Sequence, residues 1–595
     1  MRNADQVLGI IRSRGERQLP LEDVYRQLFN PELYLKAYGK IYRNAGAMTR
    51  GMTSETVDGM SLAKIERIIE DIRNERFHWT PVRRTYIPKQ DGKKRPLGIP
   101  TWRDKLVQEV IRLILEAYYE PQFSDFSHGF RPERGCHTAL NYAYHAWKGT
   151  KWFIEGDIKG YFDNIDHDLL LAMLAEKIHD NRFLRLMENL LTAGHCEDWK
   201  YVETPSGTPQ GGIVSPILAN IYLNRLDRYL EDELIPTHTK GTERAVNAAY
   251  KQVKDKVYYY RKKGDHATAD EYKKLLRTMP HGVPDDPEYR RLHYVRYADD
   301  FLIGFIGSKA EAQEIKDKLK TFLAETLKLE LSEEKTLITH ASDERAKFLG
   351  YEIYAQHADD KISGGTRAVN GVIGLKMPMA YVDKACQLYM KEGKPIHRAE
   401  LLNDTDFTIV SRYQSELRGY YQYFQLATNV SSLYKLKWVM ETSLLKTLAH
   451  KHKTSVQKLV KKYKTSMDTP HGKLKCIRVE VQRPDRESLV ATFGNISLRR
   501  NLKAGIKDER IQRLDTSRNE LIKRLLADEC EACGSTEKVE VHHIRALKDL
   551  HQNGRKAKPQ WMQIMSARRR KTLVLCQDCH DDLHAGRPVK IRDKE

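Results

Sequence analysis

The sequence predicts an α/β and α multidomain protein that ends in a small metal-organised module. Three observations carry that expectation. Residues 150–350 alternate short apolar strands with amphipathic helical stretches, an α/β signature. From about residue 370 to 465 the pattern is helical, as in "LRGYYQYFQLATNVSSLYKLKWVMETSLLKTLAHKHK". Two CxxC pairs, Cys530/Cys533 and Cys576/Cys579, stand in the last stretch of the chain. At 595 residues the chain is too long for one core, so several domains are expected.

Composition narrows the function. The formal net charge is +20, and so basic a chain calls for a polyanionic partner, nucleic acid first. No apolar run is long enough to span a bilayer, so no membrane partner is expected. The N-terminal "MRNADQVLGIIRSRGERQ" carries Asp5 and Glu16 and lacks the apolar core of a leader. Eight cysteines in this length argue against a disulfide framework, and Cys136, Cys196, Cys386 and Cys476 are scattered singly. A cytoplasmic, bacterial setting is expected over an organellar one.

Element by element, residues 1–85 read as helices ending in "RIIEDIRNERF". The Gly/Pro-punctuated "RRTYIPKQDGKKRPLGIPTWRDKLVQ" reads as strands about a turn. Trp152, Phe153 and Ile154 form a strand that delivers Asp157 at its end, with a helix beginning near Asp166. Residues 235–290, charged and without an apolar face, read as an insertion that projects from the core. "HYVRYADDFLIGF", 293–305, reads as a β-hairpin with Asp299 and Asp300 at its tip. Three carboxylates brought together would repel one another without cations. Two Mg²⁺ roughly 3.5–4 Å apart would resolve that and clamp a phosphoryl displacement.

These segments resemble the group II intron-encoded reverse transcriptases. "KKRPLGIPTWRDKLVQ", "FSHGFRPERGCHTAL", "GDIKGYFDNIDH", "GTPQGGIVSPILANIYL", "YADD", "LSEEKTLIT" and "FLGYEI" follow one another in the family's order between residues 93 and 353. The resemblance implies right-hand fingers and palm, with Asp157, Asp299 and Asp300 as the catalytic metal-binding triad. It implies that Phe162 gates against a ribose 2′-OH. Lys89 and Arg95 would reach the dNTP triphosphate, and Gln210 the template or incoming pair. Gly211 and Gly212 would let nucleic acid approach the backbone. Lys335 is a candidate proton donor to pyrophosphate or a plain phosphate contact.

The helical middle resembles the family's maturase (X) domain, which implies the polymerase thumb and a grip on intron RNA. Arg418, Lys446 and Lys451 are the candidate phosphate contacts. The basic stretch 475–525, with "RRNLK", resembles the DNA-binding segment. The expected division is therefore 1–365 fingers and palm, 366–474 maturase/thumb, 475–525 DNA-binding segment and 526–595 nuclease.

At the C-terminus the paired cysteines suggest one tetrahedral structural Zn²⁺. The spacer of about 40 residues between the pairs is long for a plain zinc ribbon. It holds "EVHHI", which together with "CHDDLH" resembles the HNH (ββα-metal) endonucleases. That implies His542 on a divalent ion, His543 as general base, and His580 and His584 completing the metal and phosphate site. The usual central Asn is replaced by Lys571 and Thr572, and Asn553 is the remaining candidate. The resemblance as a whole implies a ribonucleoprotein with intron RNA that splices and inserts into a DNA target. It would nick the second strand and copy the RNA with dNTPs. Monomer and homodimer both stay open.

Overall fold

The computed structural model describes residues 3–589 except 45, 89–91, 93, 198, 199, 203–206, 208–210, 284, 285, 359, 360, 364, 365, 368, 369, 484, 485, 506–519, 546–549, 551–558, 568 and 569. Lys89, Gln210 and Asn553, all singled out above, lie outside the described residues.

The first lobe is helical for local reasons. Ala4–Glu16, Pro31–Ile41 and Leu62–Arg73 are each capped by a side chain, from Asn3, Asn30 and Ser61 respectively. Ile65, Ile68, Ile69 and Ile72 recur at helical spacing and bury one face. They share a core with Trp102–Tyr119, a helix buried nearly all round. The finger-like hairpin Val82–Pro88/Lys94–Ile99 continues into a four-stranded sheet through His195–Glu197 and Lys200–Val202.

The catalytic half is a four-stranded antiparallel sheet in the order Arg291–Tyr297, Asp300–Ile306, Trp152–Asp157, Ile338–His340. The strand Asp300–Ile306 is buried at every position after the first, as a central strand covered on both faces should be. The expected insertion folds as two helices, Ala248–Lys262 and His266–Leu276. Only Val257 and Ala269 on them are buried, and Tyr260 stacks on Tyr272 at 5.6 Å.

The thumb helices Asp406–Phe424 and Leu433–Lys451 are followed by Val456–Tyr463 and then by a three-stranded sheet, Lys464–Thr469, Gly472–Arg483 and Arg486–Phe493. Ile477, Val479, Ala491 and Phe493 of that sheet enter the same core as Tyr413 and Leu417. The expected boundary at 474/475 thus falls within one strand of a sheet that packs on the thumb. The boundary at 365/366 is also crossed, because Val372–Lys376 pairs with Tyr351–Gln356. Both misplacements have one cause: strand pairing across a boundary leaves no local mark in composition.

The C-terminal module is a hairpin, Val539–His543 with Thr572–Cys576, followed by the helix Gln577–His584. Its hairpin does not stand apart: Val539, Val541 and Val574 enter the core of the first lobe. Among the described residues no helix is long and apolar enough to cross a membrane.

Candidate functional sites

The polymerase-like cleft is built by register. Asp157 and Asp300 are direct cross-strand partners, and Tyr297 pairs with Asp300 across a two-residue turn, Ala298–Asp299. Ala298 takes a positive φ of 56°, which the turn requires. Gly156 precedes Asp157 because the ring of its cross-strand partner Phe301 lies over it; a Cβ there would meet that ring at 2.1 Å.

Crowding leaves an electrostatic mark. The Asp300 carboxyl opens into the cleft, yet the protein walls strip much of its water. That enclosure, then Asp299 and Asp157, pushes it up to about 7. Asp299 is raised by burial and by Asp157, against the pull of Arg95 and Arg296. Lys335 Nζ bonds Asp157 Oδ2 at 2.8 Å. A site that holds its acids this reluctantly suits divalent cations. The cleft has a volume of about 690 Å³, and Arg95, Phe162 and Lys335 line it with the three acids.

Phe162 sits in the short turn Tyr161–Asp163 with its ring edge-on to Phe130 at 6.5 Å. Gly207, at φ 91°, passes so close that a Cβ would lie 2.8 Å from the carbonyl oxygens of Phe162 and Asp163. At Gly211 the missing side chain makes room for protein: a Cβ would meet Gly98 O at 2.6 Å and Leu97 at 2.7 Å. Gly211 therefore packs closely against the finger strand Lys94–Ile99.

Sequence reading missed the support of the Ala298–Asp299 turn. Arg296 and Asp227 form a fully buried ion pair, with Nη2–Oδ2 at 2.6 Å and Nε–Oδ1 at 2.8 Å. Arg296 also donates to Ala298 O at 2.9 Å, and the Tyr294 hydroxyl donates to Asp227 at 2.8 Å. Arg296 alternates correctly with its neighbours, but its partner lies 69 residues upstream.

On the thumb, Arg418 is exposed. Lys446 donates to Pro395 O at 2.7 Å from an exposed position. Lys451 is engaged internally, pairing with Asp406 at 2.8 Å, so it ties helix ends together. Tyr434 and Trp438, one helical turn apart and 47% and 62% exposed, were not anticipated and offer flat aromatic faces.

In the C-terminal module, Cys530, Cys533, Cys576 and Cys579 bring their sulfurs within 4.8 Å of one another. Burial raises Cys530, but the backbone N–H groups of Cys533, Cys576 and Ala532 outweigh it and hold the thiol down to about 7. Burial and the neighbouring thiols raise Cys579. Four thiols converging in this way fit zinc.

The second cluster joins the three histidines expected at the metal to a residue that was not anticipated, Asp58. Asp58, His542, His580 and His584 converge within 4.8 Å. Asp58 Oδ2 lies 2.9 Å from His584 Nε2, and Oδ1 lies 3.3 Å from His580 Nε2 and 3.4 Å from His542 Nδ1. Glu540 bonds the other ring nitrogen of His580, which turns Nε2 inward. Glu540 and His542 share a strand face, as period two demands. His543 faces the other way: its Nε2 meets the Tyr38 hydroxyl at 2.8 Å, and burial lowers it to about 3. It stands outside the cluster. Glu540, two residues before His542, was legible in principle; Asp58 carries no local signal.

Fold and sites together define a reverse transcriptase joined to an intron maturase and an HNH endonuclease. Residues 87–353 match the reverse transcriptase (RNA-dependent DNA polymerase) family, 380–498 the type II intron maturase family and 530–580 an AI2M/AI1M-like HNH endonuclease family. Over 579 residues the chain is 40% identical to the group II intron-encoded protein LtrA of Lactococcus lactis subsp. cremoris, which covers 94% of each. It is 35% identical over 590 residues to the 91 kDa protein in the cob intron of Schizosaccharomyces pombe, covering 96% of this chain and 70% of that one. The chain belongs to the group II intron-encoded proteins: it is an RNA-directed DNA polymerase and HNH endonuclease with a maturase domain.

Proposed function

We propose that the cleft copies intron RNA into DNA with Asp157, Asp299 and Asp300 as the acidic triad. The observation that carries this is the register that sets Asp157 opposite Asp300 with Asp299 in the adjoining turn. Two magnesium ions held there would stabilise charge on the attacking and departing oxygens of an in-line displacement. The chain's own residues do the rest. Arg95 and Lys335 neutralise the triphosphate, with Lys335 turning to it from Asp157. Phe162 fills the space a 2′-OH would need and so selects dNTPs. The thumb face with Arg418, Lys446, Tyr434 and Trp438 holds structured intron RNA through phosphate contact and stacking.

The nuclease module nicks the DNA strand whose 3′-OH then primes copying. The four cysteines hold a structural zinc that braces the helix carrying His580 and His584. His542, His580 and His584 would hold one divalent ion, which would polarise the scissile phosphate. For His543 to act as the base, its Nε2 must leave Tyr38 and its ring must swing toward the His542 side of the strand, where it would take a proton from water.

Asp299→Ala tests the polymerase assignment. Extension of a DNA primer on an RNA template should fall to background while intron RNA binding persists. Extension at the wild-type rate by Asp299→Ala would sink the assignment.

A further inference from the structure

The polymerase lobe reaches into the nuclease site. Gly59 N–H donates to Val541 O at 2.9 Å, and Val541 N–H donates to Met60 O at 2.8 Å, so the segment runs antiparallel along the nuclease strand. Asp58, just before it, inserts its carboxylate among His542, His580 and His584 and also accepts from the His543 backbone N–H at 2.7 Å. A carboxylate that accepts from a strand amide and lies among the ring nitrogens of three imidazoles stands where a phosphate oxygen pair would reach an ion held by them. On the other strand face, Tyr38 occupies Nε2 of His543. One docking event therefore fills the phosphate position and ties up the base. Beside His543 an interface cavity of about 420 Å³ is lined by Arg43, Arg524, Arg545, Arg570 and Lys571. A polyanion entering that cationic space would meet a base that is already engaged.

We propose that this arrangement is a closed, self-inhibited form of the nuclease, in which Asp58 is a pseudosubstrate and fourth ligand and Tyr38 a latch. DNA backbone competes with Asp58 for the ion that those three imidazoles would hold. Opening separates the hairpin Val539–His543/Thr572–Cys576 from the first lobe, so nicking is withheld until nucleic acid is engaged. The inference rests on the nuclease reading of His542, His580 and His584.

The test uses the full-length protein with Mn²⁺ and supercoiled plasmid DNA, scored by nicking and by amide hydrogen exchange over residues 539–543. Asp58→Ala should nick about tenfold faster or more, the effect of losing a charge-assisted hydrogen bond. Its 539–543 amides should exchange faster, and its primer extension should equal that of the wild type. Tyr38→Phe, which removes one hydroxyl, should move nicking in the same direction and guards against misfolding of the first variant. Nicking by Asp58→Ala that is equal to or slower than wild type, or absent from both variants, overturns the closed state. His580→Ala separates the two layers. Loss of both Mn²⁺ binding and nicking keeps the nuclease reading whatever Asp58→Ala does. Wild-type nicking by His580→Ala removes that reading, and the inference with it.

Discussion

Asp227→Asn asks whether the buried ion pair holds the catalytic turn. The substitution keeps shape and one acceptor but leaves the Arg296 guanidinium without a countercharge at zero exposure. Breaking such a pair from one side costs about 3–5 kcal/mol, since a buried charge is left uncompensated. Arg296 keeps Ala298 O, Asn220 and Ser127 as partners, so the lower end, about 3 kcal/mol, is expected. Opening of the hairpin Arg291–Ile306 should then be favoured by at least about a hundredfold. Native-state hydrogen exchange of the amides in 291–306 reads this locally, which a global melt of a multidomain chain would not. Polymerisation should fall in parallel, because Asp299 follows the carbonyl that Arg296 holds. Asp227→Leu with Arg296→Met should recover most of the stability but little of the activity. Exchange within twofold of wild type in Asp227→Asn would refute the reasoning.

Other perturbations probe the remaining parts. Phe162→Ala should raise incorporation of ribonucleotides relative to dNTPs by about tenfold or more, measured by primer extension in mixed pools; unchanged discrimination would remove the gate assignment. Cys533→Ser should lower bound zinc by one equivalent in elemental analysis and expose the 526–595 region to protease, while primer extension by the polymerase persists. His128 is buried and held at about 3, chiefly by burial and then by Arg134, Arg131 and Arg296. Its unfolded value lies near 6.5, so the unfolded state binds the extra proton and stability falls as pH drops below that value. By pH 5 the loss from this one residue is about 2 kcal/mol. The apparent melting temperature of His128→Gln should depend less on pH between 6.5 and 5.

Much of the molecule is written locally. Apolar residues leading to Asp157 and flanking Asp299–Asp300 predicted the strands, and the structure forms them with the acids at their ends. The helix near Asp166 begins where its carboxylate caps Leu169 N–H. The paired cysteines announced their own cluster through spacing, because ligands three positions apart in a turn converge whatever surrounds them. Less legible were the thumb's outer sheet and the true edges of the domains. Val479 and Phe493 look like any strand residues until a helix covers them.

What the sequence by itself determined is the set of chemistries: three acids, four thiols and the histidines, each at a spacing that local backbone geometry turns into a ligand or a strand end. Only the tertiary structure decided which of them meet. It joined Asp227 to Arg296 across 69 residues and Asp58 to a histidine cluster near the other end of the chain. It also turned His543 from that cluster to Tyr38, since adjacent residues on a strand face opposite ways and one face of this strand packs on the polymerase lobe. Such contacts follow from how separate hydrophobic faces are buried against one another. No periodicity along the chain records that pairing.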